Sequence, residues 1–451
     1  MLVSFSVSNF RSFGAEQIFS LVASKRLSGT HEAHLLPIPG TDEKVLRAGV
    51  VYGANGAGKS NLLKALQYAK QTALGARKDE RVTGRIPFRF ADKLDQPSTF
   101  DLQFITHSKL YRFGFSVDDE CITEEWLVEI TGTKEKVIYE RTTDRSARVT
   151  VHAPGLKNES ERLTALVTVG GPHNQTFLAT VRATLERPDF GTTLTEVIEW
   201  LNDRLTLITP DWRPTSLSEN LAANAQLREF SADFLRAAST GIDHLEISKR
   251  ELSKDDLESA GVTPETLSRV LQHDDKGYFL ALLKTMNLLV EPTQGGHRFY
   301  RVNVQAAHKH ETKETNLDLA EESDGTRRIL DLIPTLYQMK TGGAVCFIDE
   351  IDRSMHPLLV YKFIQFFLSA CAHSPAQIIA TTHETHLLDL NLLRRDEIWF
   401  TEKDPTGATH LYSLTDFNVR KDLRIENSYL QGRFGAIPFL GDIDRLIDPD
   451  P

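Results

Sequence analysis

Apolar and polar positions change their period three times along the chain, and those changes divide it. Up to about residue 185, short alternating runs dominate. Residues 100–104, 110–117, 122–130 and 136–141 each put apolar side chains on one face, as half-buried antiparallel strands do. Between about 190 and 290 helical spacing takes over. Leu194, Val197, Ile198 and Leu201 share one stripe, and similar patterns run over residues 227–238 and 266–289. From Phe299 the chain returns to strands, then alternates helix and strand as far as Trp399. Residues 429–451, rich in Gly, Pro and Asp, read as an irregular strap. No internal repeat or low-complexity tract interrupts the plan. The pattern predicts an α/β head split by a helical insertion. Its N-terminal lobe covers residues 1–187, the insertion 188–295 and the C-terminal lobe 296–451.

Two apolar runs end in chemistry. Residues 45–52 read as a buried strand leading into Gly-Ala-Asn-Gly-Ala-Gly-Lys-Ser, residues 53–60, and Leu62, Leu63, Leu66 and Ala69 then fall on one helical face. A glycine-rich turn between strand and helix is what a phosphate-cradling loop requires. The backbone amides of Gly53, Asn55, Gly56, Ala57 and Gly58 can close on a polyphosphate, and the helix start at Lys59, Ser60 and Asn61 adds partial positive charge. Lys59 is expected to reach the outer phosphates and the Ser60 hydroxyl to complete a Mg²⁺ shell. A chance glycine turn is the plainer alternative, but flanks and spacing both favour a nucleoside triphosphate.

The second run, residues 344–348, reads as a central parallel strand with Asp349 and Glu350 at its C-terminal end. Ligands of open α/β sheets bind at that edge. Asp349 is assigned to the metal and Glu350 to an attacking water, against the blander reading of a solvated acidic turn. Residues 378–382 form another strand ending in His383, placed to bond a terminal phosphate. His383 and His386 are three apart after a strand, which fails the i, i+4 helical spacing of a zinc-protease motif. His308 and His310 read as a solvated strand end. Glu322 to Arg328 opens a helix running to Lys340, with Ser323 and Asp324 as cap-type residues and Gly325 exposing amides.

Composition adds bounds. The chain has 451 residues, 25% charged and 40% apolar, as an ordinary globule does. Its formal net charge of −10 argues against a general DNA-coating protein. A local edge over residues 77–89, with Lys78, Arg81 and Arg85, could bind phosphates, though a plain charged loop is the simpler reading. Cys121, Cys346 and Cys371 form neither a metal spacing nor a disulfide framework, which fits a reducing cytoplasm. The N-terminus lacks a signal-peptide layout, and no run approaches the roughly 18 apolar residues of a spanning helix, so no membrane contact is expected.

Phosphate loop, Glu-Ser-Asp-Gly-Thr, apolar strand with Asp-Glu, and strand with Thr-Thr-His occur in the order found in ABC-type ATPase heads. The chain resembles their SMC, Rad50, RecF and OLD-like branch within the AAA family. Asp-Glu-Ile-Asp-Arg-Ser-Met-His-Pro, Arg-Arg-Asp-Glu-Ile-Trp-Phe and Tyr-Leu-Gln-Gly-Arg-Phe-Gly-Ala-Ile-Pro resemble segments of AbiLi/RloA-type phage-defence ATPase subunits. The resemblance covers residues 1–70 and 315–440 and implies a mixed sheet with flanking helices and an N-terminal antiparallel lobe. By it, Asp349 and Glu350 match the Walker B acid and catalytic glutamate, Asp352 the D-loop acid, and His383 the switch histidine. Ser323, Asp324 and Gly325 match the signature loop, and Arg11 and Ser12 match positions near the phosphates. Gln103 is a weaker match to the Q-loop glutamine. Asp324 replaces a signature glycine, and its carboxylate should repel a γ-phosphate unless it pairs with Arg327 or Arg328.

The resemblance further implies Mg²⁺-dependent ATP hydrolysis and a head-to-tail homodimer enclosing ATP, with a higher oligomer left open. The chain leaves no room after the head for the nuclease domain of OLD proteins, and its insertion lacks coiled-coil heptads. An effector, expected to be a nuclease or toxin, is therefore sought in a separate protein. The competing expectation is a RecF-like DNA-repair clamp, and the third a bare housekeeping NTPase.

Overall fold

The computed structural model describes residues 1–75, 83–90, 94–157, 159–214, 216–259, 288–293, 296–311, 313–418 and 424–437. The chain forms two units. The first comprises Met1–Pro210, Met339–Asp352 and Val360–Pro451; the second comprises Asp211–Gln338 and Arg353–Leu359.

Among the described residues the first unit holds two large sheets and a two-stranded one, Leu35–Pro37 with Lys44–Leu46. Ala48–Gly53 and Val345–Ile348 are buried at every position, which suits strands covered on both faces rather than alternating ones. They belong to a six-stranded sheet ordered Leu205–Ile208, Val345–Ile348, Gln377–Thr381, Ala48–Gly53, Ile398–Lys403, Thr409–Ser413. The first five strands run parallel and the last is antiparallel. Gly53, Ile348 and Thr381 thus end their strands on one edge. The other large sheet is antiparallel and seven-stranded, ordered Val149–His152, Lys134–Thr143, Ile122–Thr131, Lys109–Val117, Ser98–Thr106, Leu2–Ser8, Gln17–Ser20.

The helix Lys59–Leu74 leaves the parallel sheet and buries Leu62, Leu63, Leu66 and Ala69, the stripe its sequence marks. They share one core with Phe100 and Phe115 of the antiparallel sheet and Val345 and Ile379 of the parallel one. Each leucine, isoleucine, valine or phenylalanine side chain so removed from water stabilises the fold by about 1.5–3 kcal/mol. Tyr68 of this helix lies 5.1 Å from both the Phe10 and the Phe100 rings.

A buried amide joins the two large sheets. Gln377 Nε2 donates to the carbonyls of Leu2 and Leu46, each at 2.8 Å, and its Oε1 accepts from Leu2 N–H. Gln377→Leu keeps the bulk and strands three backbone groups at about 1–3 kcal/mol each, partly recovered by relaxation. A clear drop in the thermal unfolding midpoint is expected; an unchanged midpoint would mean that water replaces the amide without loss.

The second unit contains an antiparallel sheet ordered Ile242–Glu251, Gly296–His310, Leu288–Thr293, with Lys313–Asp318 also paired to Gly296–His310. Its helices include Leu217–Ala223 and Ala225–Ala237, the latter capped by the Asn224 side chain, which accepts from Leu227 N–H at 3.0 Å. The helix Asp324–Gly342 matches the expected start at the Glu-Ser-Asp-Gly segment.

Three expectations need correction. Residues 45–52 are not one strand: Lys44–Leu46 pairs with Leu35–Pro37, and Ala48–Gly53 enters the parallel sheet. Arg47 marks the break. Its buried guanidinium donates to the carbonyls of Cys371 and Ser374, which holds the chain at the junction. The span 190–290 is not wholly helical. The helix Ala225–Ala237 ends before Ser239 and Gly241, both at positive φ, and Ile242–Glu251 then pairs as a strand. Before residue 185, Glu161–Val169 and Phe177–Thr184 are helices, started by Ser160 and Thr176 side chains that accept from Leu163 and Ala179 N–H.

The helical pattern at 266–289 lies outside the described residues except for its last two, which begin the strand Leu288–Thr293. Lys78 and Arg81 also lie outside them, as does the tail beyond Ile437. No described helix is long and apolar enough to cross a membrane.

Candidate active site

The phosphate loop is built by close approach. Gly58 sits at φ +114°, and a Cβ there would lie 2.3 Å from Thr409 Oγ1; Gly53 would collide with Thr401 in the same way. Gly56, at φ +78°, faces open space. Asn55 and Gly56 are exposed while Ala57, Gly58 and Lys59 are buried, so the loop offers its tip and keeps its base packed. A hydroxyl relay fixes that base. Asn61 Nδ2 donates to Ser12 Oγ at 2.8 Å, Ser12 and Thr409 hydroxyls bond at 2.8 Å, and Thr409 Oγ1 donates to Ala57 O at 2.8 Å. Arg11, at φ +53°, has its Nε buried with no hydrogen-bond partner among the described residues.

Lys59 Nζ folds onto the loop's own carbonyls, Gly53 O at 2.7 Å and Ala54 O at 3.3 Å. Burial lowers its pKa to about 8, opposed by the charges of Asp349, Asp352 and Glu350. These three acids therefore share a field with the phosphate-loop lysine. His383, at the same edge, is pushed below its ordinary value by partial desolvation and then by the Lys59 ammonium, with Asp352, Glu350 and Asp349 opposing.

The acids are held by the neighbouring strand. Asp349 is buried, and its Oδ1 accepts from Thr381 Oγ1 at 2.6 Å. Glu350 takes φ +49°, a left-handed turn that costs a residue with a side chain about 1–2 kcal/mol. Its N–H donates to Thr381 Oγ1 at 2.8 Å. Asp352 accepts from Thr382 Oγ1 at 2.8 Å and from His383 N–H at 3.3 Å. Thr401 and Thr409 carry no motif of their own, and Thr381 and Thr382 entered the sequence reading only as the Thr-Thr of the strand before His383, with no role assigned to their hydroxyls. Position was the available signal for three of them: Thr381, Thr382 and Thr409 lie at or next to a strand end, while Thr401 lies inside its strand.

The remaining candidates fall as follows. Ser60 is half-buried on the first turn of the helix. Ser323, Asp324 and Gly325 belong to the second unit and open the helix Asp324–Gly342. Ser323 Oγ accepts from Thr326 N–H at 3.2 Å, and Arg327 pairs with Asp324, one of the two partners expected for that carboxylate. Gln103 is half-buried in the strand Ser98–Thr106, as its alternation implies. His308 Nε2 lies 2.6 Å from Glu322 Oε1, and His386 Nδ1 bonds Glu384, so both are engaged locally. Arg85 is packed inward. It bonds Asp119, Gln96 O and Leu94 O, which removes it from the phosphate-binding edge considered for residues 77–89.

These residues suit a magnesium–nucleotide complex. The orphaned Arg11 Nε, the glycine cradle and the buried Lys59 supply donors for phosphates. Asp349 and Ser60 offer hard oxygens for Mg²⁺. Among the described residues no three His, Cys, Asp or Glu side chains form a metal cluster.

Fold and site together define an ATPase-type α/β head with a phosphate loop. The chain belongs to the family described as "AAA domain, putative AbiEii toxin, Type IV TA system", which it matches over residues 50–389. Comparison with curated proteins returns no match. Among solved structures it is similar to an SMC head bound to the C-winged helix domain of ScpA, at 12% identity and a TM-score of 0.39, covering 91% of this chain and 97% of that one. An SMC head domain from Thermotoga maritima gives 12% identity and a TM-score of 0.39, with 91% and 98% covered. An SMC head with an extended coiled coil, bound to the C-terminal domain of ScpA derived from Pyrococcus furiosus, gives 12%, 0.34, 91% and 96%. At such scores no property of those proteins passes to this chain.

Proposed function

We propose that this chain hydrolyses ATP with Mg²⁺, and that ATP joins two copies head to tail into a switch governing a separate effector. The observation that carries the ATPase reading is the shared field of Lys59, Asp349, Glu350 and Asp352 at one sheet edge. Lys59 would exchange the Gly53 and Ala54 carbonyls for the outer phosphates. Bound Mg²⁺ would neutralise charge on the transferring phosphoryl group. Asp349 and Ser60 would hold that ion, Glu350 would take the proton of the attacking water, and His383 would bond the terminal phosphate.

The dimer follows from having one phosphate loop and one capped Ser323–Asp324–Gly325 turn per chain. A two-fold pair would bring each turn to the partner's nucleotide, and hydrolysis would release it. The Arg327 pairing of Asp324 supports this by offsetting the charge that would repel a γ-phosphate. A toxin or nuclease as effector, anti-phage defence and a cytoplasmic setting draw support from the family's toxin–antitoxin description and the terminal motifs. Co-purification with the product of the adjacent reading frame, lost on adding ATP or on removing it, tests the effector role. ATPase stimulation by duplex DNA that fades with salt would favour the clamp instead. Arg85's internal bonds weigh against that alternative.

A further inference from the structure

We infer that Thr381 is a positioning residue of the hydrolytic site, its one hydroxyl setting both the Asp349 carboxylate and the turn that carries Glu350. The inference rests on the reading that places ATP beside Lys59.

Thr381 ends the strand Gln377–Thr381, which runs parallel to Val345–Ile348, so its side chain meets the first residues beyond the acidic strand. It is fully buried. A hydroxyl has one proton. Glu350 N–H, at 2.8 Å, can only donate, so it occupies a lone pair of Thr381 Oγ1 and the proton goes to Asp349 Oδ1 at 2.6 Å. Asp349 is thereby tethered through one oxygen, leaving the other for a cation. The same atom holds Glu350 in its left-handed conformation, and Thr381 O accepts from Ile351 N–H at 3.1 Å. One residue on, Thr382 repeats the device. It donates to Asp352 and accepts from Glu384 N–H at 2.9 Å. The strand end bearing His383 and the turn bearing the acids are therefore one hydrogen-bonded body.

Thr381→Val keeps the shape and removes both bonds; Thr381→Ser keeps both bonds and removes a methyl. The valine variant should bind mant-ATP in EDTA as the wild type does, show a smaller affinity gain on adding Mg²⁺, and lose roughly 10- to 100-fold in kcat. Serine should restore the Mg²⁺ gain and most of the turnover. Valine with wild-type turnover and Mg²⁺ gain, serine as impaired as valine, or valine with equally reduced affinity in EDTA would each overturn the inference. Lys59→Ala run in parallel separates the two levels. If it leaves mant-ATP binding intact, the nucleotide reading itself has failed.

Discussion

Glu350→Gln binds ATP, all but ceases to turn it over, and accumulates as dimer: that is the expected outcome. Glutamine preserves the volume of the side chain and leaves the backbone bond to Thr381 Oγ1 in place, so the turn holding Asp349 should survive. What is lost is the capacity to accept a proton. General-base assistance contributes roughly 10²- to 10⁴-fold, and turnover should fall by that order while ATP affinity holds or rises. Affinity can rise because the substitution also removes a negative charge from the group of acids around Lys59. If hydrolysis releases the dimer, blocking it traps the dimer. Light scattering with and without ATP, beside a single-turnover assay, reads both effects. Equal dimer content in the two conditions would count against nucleotide gating.

Lys59→Ala carries the other large effect. Removing one member of a buried, hydrogen-bonded charge pair costs about 2–5 kcal/mol, so ATP affinity should drop by roughly 30-fold to several thousand-fold. The wild type should show a related dependence on pH. Burial holds the unliganded Lys59 at about 8 rather than 10.5. As pH rises through about 8 the ammonium discharges, and each ATP bound must then also bind a proton. Affinity should therefore be full below that pH and decline above it. Stability of the unliganded chain has the opposite sign. Between about 8 and 10.5 the unfolded state holds more protons at this site, so this residue's contribution to stability rises with pH. Calorimetric titration of ATP from pH 7 to 9.5 checks the first effect. A flat profile in the wild type would mean that Lys59 does not face the phosphates.

Much of the local geometry of the candidate site was legible because a phosphate-cradling loop imposes local constraints. Gly56 and Gly58 need positive φ, Lys59 must follow them, and Asp349 must end an apolar strand; each leaves its mark within a few residues. The roles of the threonines were not legible, since the Thr381 hydroxyl acts through Asp349 and Glu350, about thirty residues away, and that of Thr409 through Ser12 and Ala57. Arg47 misled for the same reason. In the sequence it is one charge in an apolar run, and its partners are the carbonyls of Cys371 and Ser374. The strand Ile242–Glu251 was missed because half of its side chains are exposed and they carry no sustained apolar alternation. Its register comes from Gly296–His310.

The central proposition, that each catalytic pocket takes Lys59 from one copy and the Ser323 turn from another, is tested most directly by mixing two inactive variants. Lys59→Ala removes the phosphate donor, and Ser323→Glu sets a carboxylate against the γ-phosphate. Every mixed pair then contains one pocket with both natural residues. Random pairing should restore ATPase to about a quarter of the wild-type level, from half the dimers with half their sites intact. Activity that stays at the sum of the two separate variants would place the whole pocket within a single chain and contradict the account.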